Sequence, residues 1–286
     1  MSEHAHLVDA QWLVEHARDP RVRIVDTRWY LGGARRGKGE YAAGHIPGAA
    51  FVDLDRELAG NPQKGPGRHP LPSAGDFANT LSRLGVVQDS LVIAYDDVGG
   101  AIAARLWWLL RYFGHRGGRV LDGGVGQWTA LGQPLCSEPC EAAPAAPLAL
   151  SPGSAGVVDK EAVLALLRDR AGVVLDARAP ERYQGLVEPV DARAGHVPGA
   201  RSAPFAQNLQ APGGRFLDAA TLRSRYAALG ALEGPVACYC GSGVTACHDL
   251  LALALIGKED ALLYEGSWSD WAADESLPLS VGPDAG

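Results

Sequence analysis

The two halves of this 286-residue chain carry the same motifs in the same order and at nearly constant spacing. The segment Gly44-His-Ile-Pro-Gly-Ala49 returns as Gly195-His-Val-Pro-Gly-Ala200. Apolar runs that end in an aspartate, Asp26 and Asp176, precede these segments. The repeated unit is far longer than a solenoid repeat, and the chain is long enough to bury two cores. A duplication of this kind predicts two domains that share one fold.

Each half alternates short apolar runs, typical of buried strands, with helical segments, the first of which begin at the capping residues Asp9 and Asp159. This alternation predicts an α/β fold in which each domain is a mostly parallel sheet with helices on both faces. We place an N-terminal domain at residues 1–136 and a C-terminal domain at residues 153–279. The Ala/Pro-rich segment 137–152 is the predicted linker.

The composition and charge of the chain indicate which kinds of partner it is not expected to bind. Hydrophobic residues make up 47% of the chain, yet no apolar run reaches the length of a membrane-spanning helix. The N-terminus has neither the basic nor the apolar region of a signal peptide, so we expect a cytoplasmic protein. The formal charge is −7 without a block of lysine or arginine, which argues against nucleic acid or an anionic membrane as partner.

Five cysteines is an odd number, and we expect free thiols rather than a disulfide framework. Cys136 and Cys140 are spaced like a pair of metal ligands. No second cysteine or histidine pair stands at ligand spacing, so the sequence predicts no metal site. Cys238 alternates with Cys240 on a predicted strand, and Cys247 begins the next helix. We expect Cys238 and Cys247 to be core residues.

Cys240 lies where an apolar strand enters the loop Cys240-Gly-Ser-Gly-Val-Thr-Ala246, just before a predicted helix. A cysteine at such a turn faces the unpaired N–H groups of the first helical turn, and their partial positive charge favours the thiolate. We therefore predict that Cys240 is a nucleophile. The small residues beside it let the backbone curl around an atom bound to the sulfur. The loop residues predicted to contact substrate are Gly241, Gly243, Val244 and Thr245, and Ser242 and Thr245 can add hydroxyl donors.

This loop resembles the active-site loop of two-domain rhodaneses, and more closely the mercaptopyruvate-using type than the thiosulfate-using type. The resemblance extends over roughly residues 5 to 278. It implies two tandem rhodanese-like domains and transfer of sulfur from 3-mercaptopyruvate through a persulfide on Cys240. The acceptor would be a small thiol, cyanide or thioredoxin. Neither a metal nor an organic cofactor is implied.

The duplication separates residues that the fold needs from residues that chemistry needs, because only the former should occur in both halves. The counterpart of Cys240 in the first half is Asp96, which predicts a catalytically silent N-terminal domain. Four residues recur, and we predict structural roles for them, with each arginine paired to the strand-ending aspartate before it: His45, His196, Arg28 and Arg178.

Three residues match a catalytic triad in the family pattern. These are Asp55 and His69 from the first half and Ser242 from the loop. The first two have no counterpart in the second half. The resemblance implies that the triad polarises or protonates the departing enolate.

Arg182 matches the family arginine that binds the substrate carboxylate, and its first-half counterpart is Gly32. A planar guanidinium suits a carboxylate well. The family's second substrate arginine lies nine residues further on, where this chain has Asp191. We take Arg193 as the candidate for that role, and the departure leaves the preferred donor open.

Three other functions compete with this one. A thiosulfate:cyanide sulfurtransferase is the nearest, but thiosulfate-type loops carry cations beside the cysteine, where Gly241 and Ser242 are neutral. A cysteine phosphatase would need an arginine to close the loop, which here ends at Ala246. The third is a non-enzymatic module that carries persulfide for a partner, since the first half shows that this fold can lose its cysteine.

Overall fold

A computed structural model describes residues 6–140, 142–210 and 214–285. The chain forms two compact units. Unit 1 contains the residues up to Ala59, together with Pro72–Ser154 and Leu209–Phe216, and unit 2 contains Gly60–Leu71, Ala155–Asn208 and the residues from Leu217 onward. Each unit therefore includes a short segment from the other half of the sequence. The domain limits that we drew from the sequence are contiguous and did not anticipate this exchange.

Unit 1 contains one five-stranded sheet in the order β1-β5-β4-β2-β3, with every described pair of strands parallel. The strands are β1 Leu7–Val8, β2 Val22–Asp26, β3 Ala50–Phe51, β4 Leu91–Tyr95 and β5 Gly118–Leu121. The helices are α1 Ala10–His16, α2 Gly37–Ala43, α3 Leu54–Glu57, α4 Ala74–Arg83, α5 Ala103–Tyr112 and α6 Gly124–Ala130.

Unit 2 repeats this arrangement, with strand order β6-β10-β9-β7-β8 and parallel pairing. The strands are β6 Val157–Val158, β7 Val173–Asp176, β8 Arg201–Ser202, β9 Val236–Tyr239 and β10 Leu262–Tyr264. The helices are α7 Lys160–Arg168, α8 Pro180–Tyr183, α9 Ala219–Ala228, α10 Ala246–Leu255 and α11 Ser267–Trp271, with a 3₁₀ helix at Phe205–Asn208. The predicted duplicated α/β fold is confirmed.

The first helix of each unit begins at the predicted aspartate. The Asp9 carboxylate accepts a hydrogen bond from the Trp12 amide at 2.7 Å, and the Asp159 carboxylate accepts one from the Ala162 amide at 2.8 Å. The central strand β9 is buried along its whole length. The loop at its carboxyl end is therefore held by a rigid core. Among the helices of the described residues, none has the length and apolar character needed to cross a membrane.

The repeated aspartate and arginine residues form buried ion pairs in both units, as predicted. Arg28 Nη2 lies 2.5 Å from Asp26 Oδ2, and Arg178 Nη2 lies 2.6 Å from Asp176 Oδ2. Each guanidinium also donates to the carbonyl oxygen of the glycine that opens the repeated motif, at 2.8 Å in unit 1 and 2.7 Å in unit 2. These arginines connect the repeated motif, Gly44–Ala49 or Gly195–Ala200, to the end of a strand, so their role is structural.

The buried carboxyl group of Asp249, on α10, belongs to a polar network inside unit 2. Its Oδ1 accepts hydrogen bonds from Asn208 Nδ2 at 2.7 Å and from the Tyr226 hydroxyl at 3.3 Å. Asn208 in turn accepts a hydrogen bond from Arg225 Nε at 3.1 Å. Burial raises the pKa of Asp249 to about 7, although the positive charge of Arg225 and the hydrogen bonds act against this rise.

We predict that Asp249→Asn changes the pH dependence of stability. The folded protein holds the Asp249 proton more tightly than the unfolded chain, in which the pKa is near 3.8. The contribution of protonated Asp249 to the free energy of unfolding is therefore fully present below about pH 4 and is lost as the pH rises to about 7. Relative to wild type, the variant should gain up to about 4 kcal/mol of unfolding free energy between pH 4 and pH 8. Urea unfolding across this range measures the difference, and a constant difference would contradict the prediction.

Candidate active site

Cys240 is the first residue after β9, at the carboxyl end of the central strand of unit 2. Its side chain is almost fully buried, but its surroundings are polar. The Ser242 amide points at Cys240 Sγ over 3.5 Å, and the Cys240 amide donates to Ser267 Oγ at 3.1 Å. Gly243 has φ +78°, and a Cβ there would lie 2.5 Å from the Glu265 carbonyl oxygen. Only glycine fits this turn of the loop.

The matching loop of unit 1 shows what such a turn binds. Four backbone amides converge on the carboxylate of Asp96, which occupies the position of Cys240. Oδ1 accepts from Val98 at 2.9 Å and Gly100 at 2.8 Å, and Oδ2 accepts from Ile102 at 2.8 Å and Ala103 at 3.0 Å. Burial raises the pKa of Asp96, whereas the four amides favour its charged form. The loop is thus a backbone cradle for an anion.

Ser267 ties the loop of Cys240 to the neighbouring strand end. It has φ +55°, which is rare for a residue with a side chain, whereas its counterpart in unit 1 is Gly124 with φ +56°. Its hydroxyl accepts from the Cys240 amide and donates to the Tyr264 carbonyl at 3.0 Å. Our sequence reasoning missed Ser267, although a serine in place of a first-half glycine was visible in the repeat. Backbone strain of this kind clusters at functional sites.

Two of the three predicted triad residues lie together in unit 2. His69 Nδ1 is 2.7 Å from Ser242 Oγ, and both side chains are buried. His69 reaches the loop because the segment Gly60–Leu71 is part of unit 2. Asp55 belongs to unit 1, where its Oδ2 accepts a hydrogen bond from Trp29 Nε1 at 2.9 Å. The predicted role of Asp55 beside His69 stays a prediction.

Two arginines flank the loop at Gly241. A Cβ on this glycine would lie 3.2 Å from Arg68 Nη2 and 3.4 Å from Arg182 Nη1. Asp191 forms ion pairs with both arginines, to Arg68 Nη1 and, at 3.3 Å, to Arg182 Nη2. Arg182 also pairs with Glu188 at 2.6 Å. The structure therefore places Arg182 at the loop, together with Arg68, which our sequence reasoning did not select although it precedes His69.

Arg193 is not at this site. Its guanidinium donates to four backbone carbonyl oxygens of the segment 271–277, at distances of 2.6 to 3.0 Å. Because four of its hydrogen bonds go to backbone carbonyl oxygens, this guanidinium has few N–H donors left to bind a substrate carboxylate. We therefore replace Arg193 by Arg68 as the candidate second arginine.

The remaining thiols of unit 2 are core groups, as expected. Cys247 Sγ donates to the Gly243 carbonyl at 3.4 Å, and burial raises the pKa of Cys238 well above its ordinary value. None of the five cysteines, all of which lie in the described part of the chain, forms a disulfide. Thr245 is the N-cap residue of α10 and is partly exposed, and its side chain makes no capping hydrogen bond.

The family model for the rhodanese-like domain matches residues 9–131 and 159–274. The chain belongs to the rhodanese-like domain family. Each matched stretch contains four of the five strands of one sheet, with β1 and β6 just before the stretches, and the predicted resemblance is confirmed. Unit 1 has four amides around the carboxylate of Asp96, and unit 2 has Cys240 at the same position with the Ser242 amide directed at its sulfur.

The similarity to other proteins extends over nearly the whole chain. A probable 3-mercaptopyruvate sulfurtransferase of Pseudomonas aeruginosa is 42% identical over 97% of this chain and 99% of its own length. A thiosulfate sulfurtransferase of Bos taurus is 37% identical over 93% of this chain and 91% of its own. The crystal structure of SseA from Escherichia coli, a 3-mercaptopyruvate sulfotransferase, matches with a TM-score of 0.81 and 33% identity over 92% of this chain and 98% of SseA.

We predict that the two variants Ser267→Ala and Ser267→Gly differ in stability. Both lose the hydroxyl that bonds Cys240 and Tyr264, which costs about 1–3 kcal/mol for a buried polar group left unpaired. Only the alanine keeps a side chain at positive φ, a strain of about 1–3 kcal/mol that glycine relieves. Ser267→Gly should therefore be more stable than Ser267→Ala by about 1 kcal/mol in urea unfolding. An equal or greater stability of Ser267→Ala would contradict the role that we give to strain at this position.

Proposed function

We propose that this chain transfers sulfur from 3-mercaptopyruvate to a thiol acceptor through a persulfide on Cys240. The Cys240 thiolate attacks the substrate sulfur, and an S–S bond forms as the C–S bond breaks. The electron pair of the broken bond leaves with the carbon as the enolate of pyruvate, which takes up a proton to become pyruvate. A second thiolate then attacks the outer sulfur and restores the thiolate of Cys240.

The observation that carries this proposal is the carboxylate of Asp96 in the unit 1 cradle. An aspartate carries its oxygens two bonds beyond Cβ, and a cysteine persulfide carries its outer sulfur at the same distance in bonds. The outer sulfur on Cys240 would therefore take the place that the Asp96 oxygens have in unit 1. The amides at the corresponding positions of Ser242, Val244 and Ala246 would stabilise its negative charge, whereas the fourth, that of Cys247, donates to the Val244 carbonyl at 3.1 Å.

Ser242 and His69 supply the proton chemistry. Ser242 Oγ lies between the loop and the imidazole, 2.7 Å from His69 Nδ1, so a proton can pass along this hydrogen bond. We propose that Ser242 polarises the carbonyl of the donor and stabilises or protonates the enolate, with Asp55 orienting His69. Assistance of this kind is typically worth about 10² to 10⁴ in rate.

Arg68 and Arg182 are the proposed binding groups for the donor carboxylate. Both guanidinium groups adjoin Gly241, and Arg68 Nε is buried with no hydrogen-bond partner in the described part of the chain. Glu188 and Asp191 hold the two guanidinium groups in position. A donor carboxylate would compete with Asp191 for them, so the preference for one donor depends on this balance of charge.

Thiosulfate is the second candidate donor, because the two arginines supply the positive charge that the neutral residues Gly241 and Ser242 lack. The chemistry at Ser242 distinguishes the two donors. Thiosulfate releases sulfite, which needs no proton, whereas 3-mercaptopyruvate releases an enolate, which does. The hydrogen-bonded pair of Ser242 and His69 thus favours 3-mercaptopyruvate. Cyanide, small thiols and thioredoxin are the acceptors to be compared.

The proposal predicts that one variant affects both donors equally and that a second variant distinguishes between them. Cys240→Ser should abolish turnover of both donors and should gain no sulfur atom by mass spectrometry after donor treatment. Ser242→Ala should lower kcat with 3-mercaptopyruvate by about 10² to 10⁴ and kcat with thiosulfate much less. Pyruvate and thiocyanate formation measure the two reactions.

Two outcomes would contradict this assignment. Equal losses with both donors in Ser242→Ala would assign the serine to loop structure instead of proton transfer. A wild-type protein that gains no sulfur from any small donor would favour the persulfide-carrying module over an enzyme.

A further prediction concerns the charge at position 191. Burial raises the pKa of Asp191, and the charges of Arg68 and Arg182 lower it. Asp191→Asn removes one negative charge that pairs with both arginines. Their positive charge then attracts anionic donors more strongly, so kcat/KM should rise for these donors. The rise should be on the order of tenfold for dianionic thiosulfate and smaller for 3-mercaptopyruvate, which carries one carboxylate. Glu275→Gln, which removes a charge at an exposed position, is the control, and an unchanged donor ratio in Asp191→Asn would contradict the prediction.

A further inference from the structure

Three side chains with metal-binding atoms meet in unit 1, apart from the residues proposed for sulfur transfer. His45 Nε2, Cys136 Sγ and Cys140 Sγ all lie within 4.8 Å of one another. His45 Nε2 is 3.2 Å from Cys136 Sγ. His45 is fully buried, whereas the two cysteines are partly exposed. The cluster can therefore be reached by a small ion from solvent.

The histidine is held in the tautomer that a metal ligand requires. His45 Nδ1 lies 2.8 Å from the carbonyl oxygen of Tyr41, which can only accept a hydrogen bond, so Nδ1 carries the proton. The lone pair is then on Nε2, which faces Cys136. The ring of Tyr41 stacks on the imidazole at 3.8 Å, and the Cys140 amide donates to the Tyr41 hydroxyl at 3.1 Å. Metal-binding histidines typically donate their second N–H to a carbonyl in this way.

Unit 2 shows that the fold does not need the cysteines. His196 also directs Nδ1 at a tyrosine carbonyl, that of Tyr183, at 2.8 Å, and also stacks on that tyrosine at 3.8 Å. His45 forms an antiparallel bridge with Cys136, and His196 forms the same bridge with Ser280. His196 Nε2 is buried and, within the residues that the structure describes, has no hydrogen-bond partner. The two thiols are thus an addition to the shared fold in unit 1.

We propose that His45, Cys136 and Cys140 bind a thiophilic cation, for which Zn²⁺ is the probe. Two thiolates and one neutral imidazole are ligands that Zn²⁺ prefers, and three protein ligands leave a fourth position for water or an added thiol. Our sequence reasoning rejected a metal site because the cysteine pair has no second pair nearby. The third ligand comes from a residue far away in sequence, which the bridge between His45 and Cys136 brings to the pair.

The test uses the full chain in a Cys240→Ser background, so that the loop thiol cannot bind the ion. After reduction with a phosphine and incubation with Zn²⁺, the protein should hold one ion per chain by elemental analysis. Cys136→Ser and Cys140→Ser should each weaken binding by more than about tenfold, since even the loss of a supporting contact costs that much. Co²⁺ should give a thiolate charge-transfer absorption that either change removes.

Two controls keep the test decisive. Cys136→Ser should fold, because Ser280 forms the same bridge in unit 2, and circular dichroism checks this. Ser280→Cys places a single thiol beside His196 in unit 2. Because no other thiol is added, this variant should not bind a second Zn²⁺ ion tightly. Zn²⁺ binding that both cysteine changes leave unaltered would overturn the proposal. The proposal would also be overturned if the reduced protein bound no Zn²⁺ while the thiols of Cys136 and Cys140 both reacted with a thiol reagent. Neither result depends on turnover, so the proposed sulfur transfer is tested separately.

Discussion

A loop of backbone amides at the carboxyl end of a buried parallel strand is the feature around which both halves of this chain are built. In unit 1 these amides bind the carboxylate of Asp96, a ligand that belongs to the chain itself. In unit 2 the same turn encloses the sulfur of Cys240. Because the donors are main-chain groups fixed by a strand end and a helix start, their geometry survives most side-chain changes. The residue at one position then decides whether the cradle is filled permanently or takes part in chemistry.

The charged groups beside the cradle are preorganised. Asp191 and Glu188 hold Arg182, and Asp191 also pairs with Arg68, so the guanidinium groups stay in place without a donor. In the proposed reaction, a donor carboxylate would replace Asp191 at guanidinium groups whose positions are already fixed. Preorganisation of this kind reduces the entropy lost on binding and positions the reacting sulfur. The negative charges of Asp191 and Glu188 would also repel an anionic donor, so we expect them to influence the choice among donors.

Periodicity and the internal repeat were sufficient to predict the α/β fold, the duplication, both helix caps and the buried ion pairs, because these depend on local sequence. The meeting of His69 with Ser242 required the family pattern, since the two residues are far apart in the chain. Arg193 was chosen from its spacing to Arg182, but the carbonyl groups of the segment 271–277 bind it. Arg68 and the joining of His45 to the cysteine pair depend on tertiary contacts that no local pattern reveals.

The membership of Gly60–Leu71 in unit 2 has a consequence for how the chain can be divided. A gene fragment that starts after the predicted linker would encode the loop of Cys240 but neither Arg68 nor His69. Unit 2 made from the second half of the sequence alone would therefore lack the imidazole that lies 2.7 Å from Ser242 Oγ. Unit 2 is complete only together with these twelve residues, which are encoded before the linker.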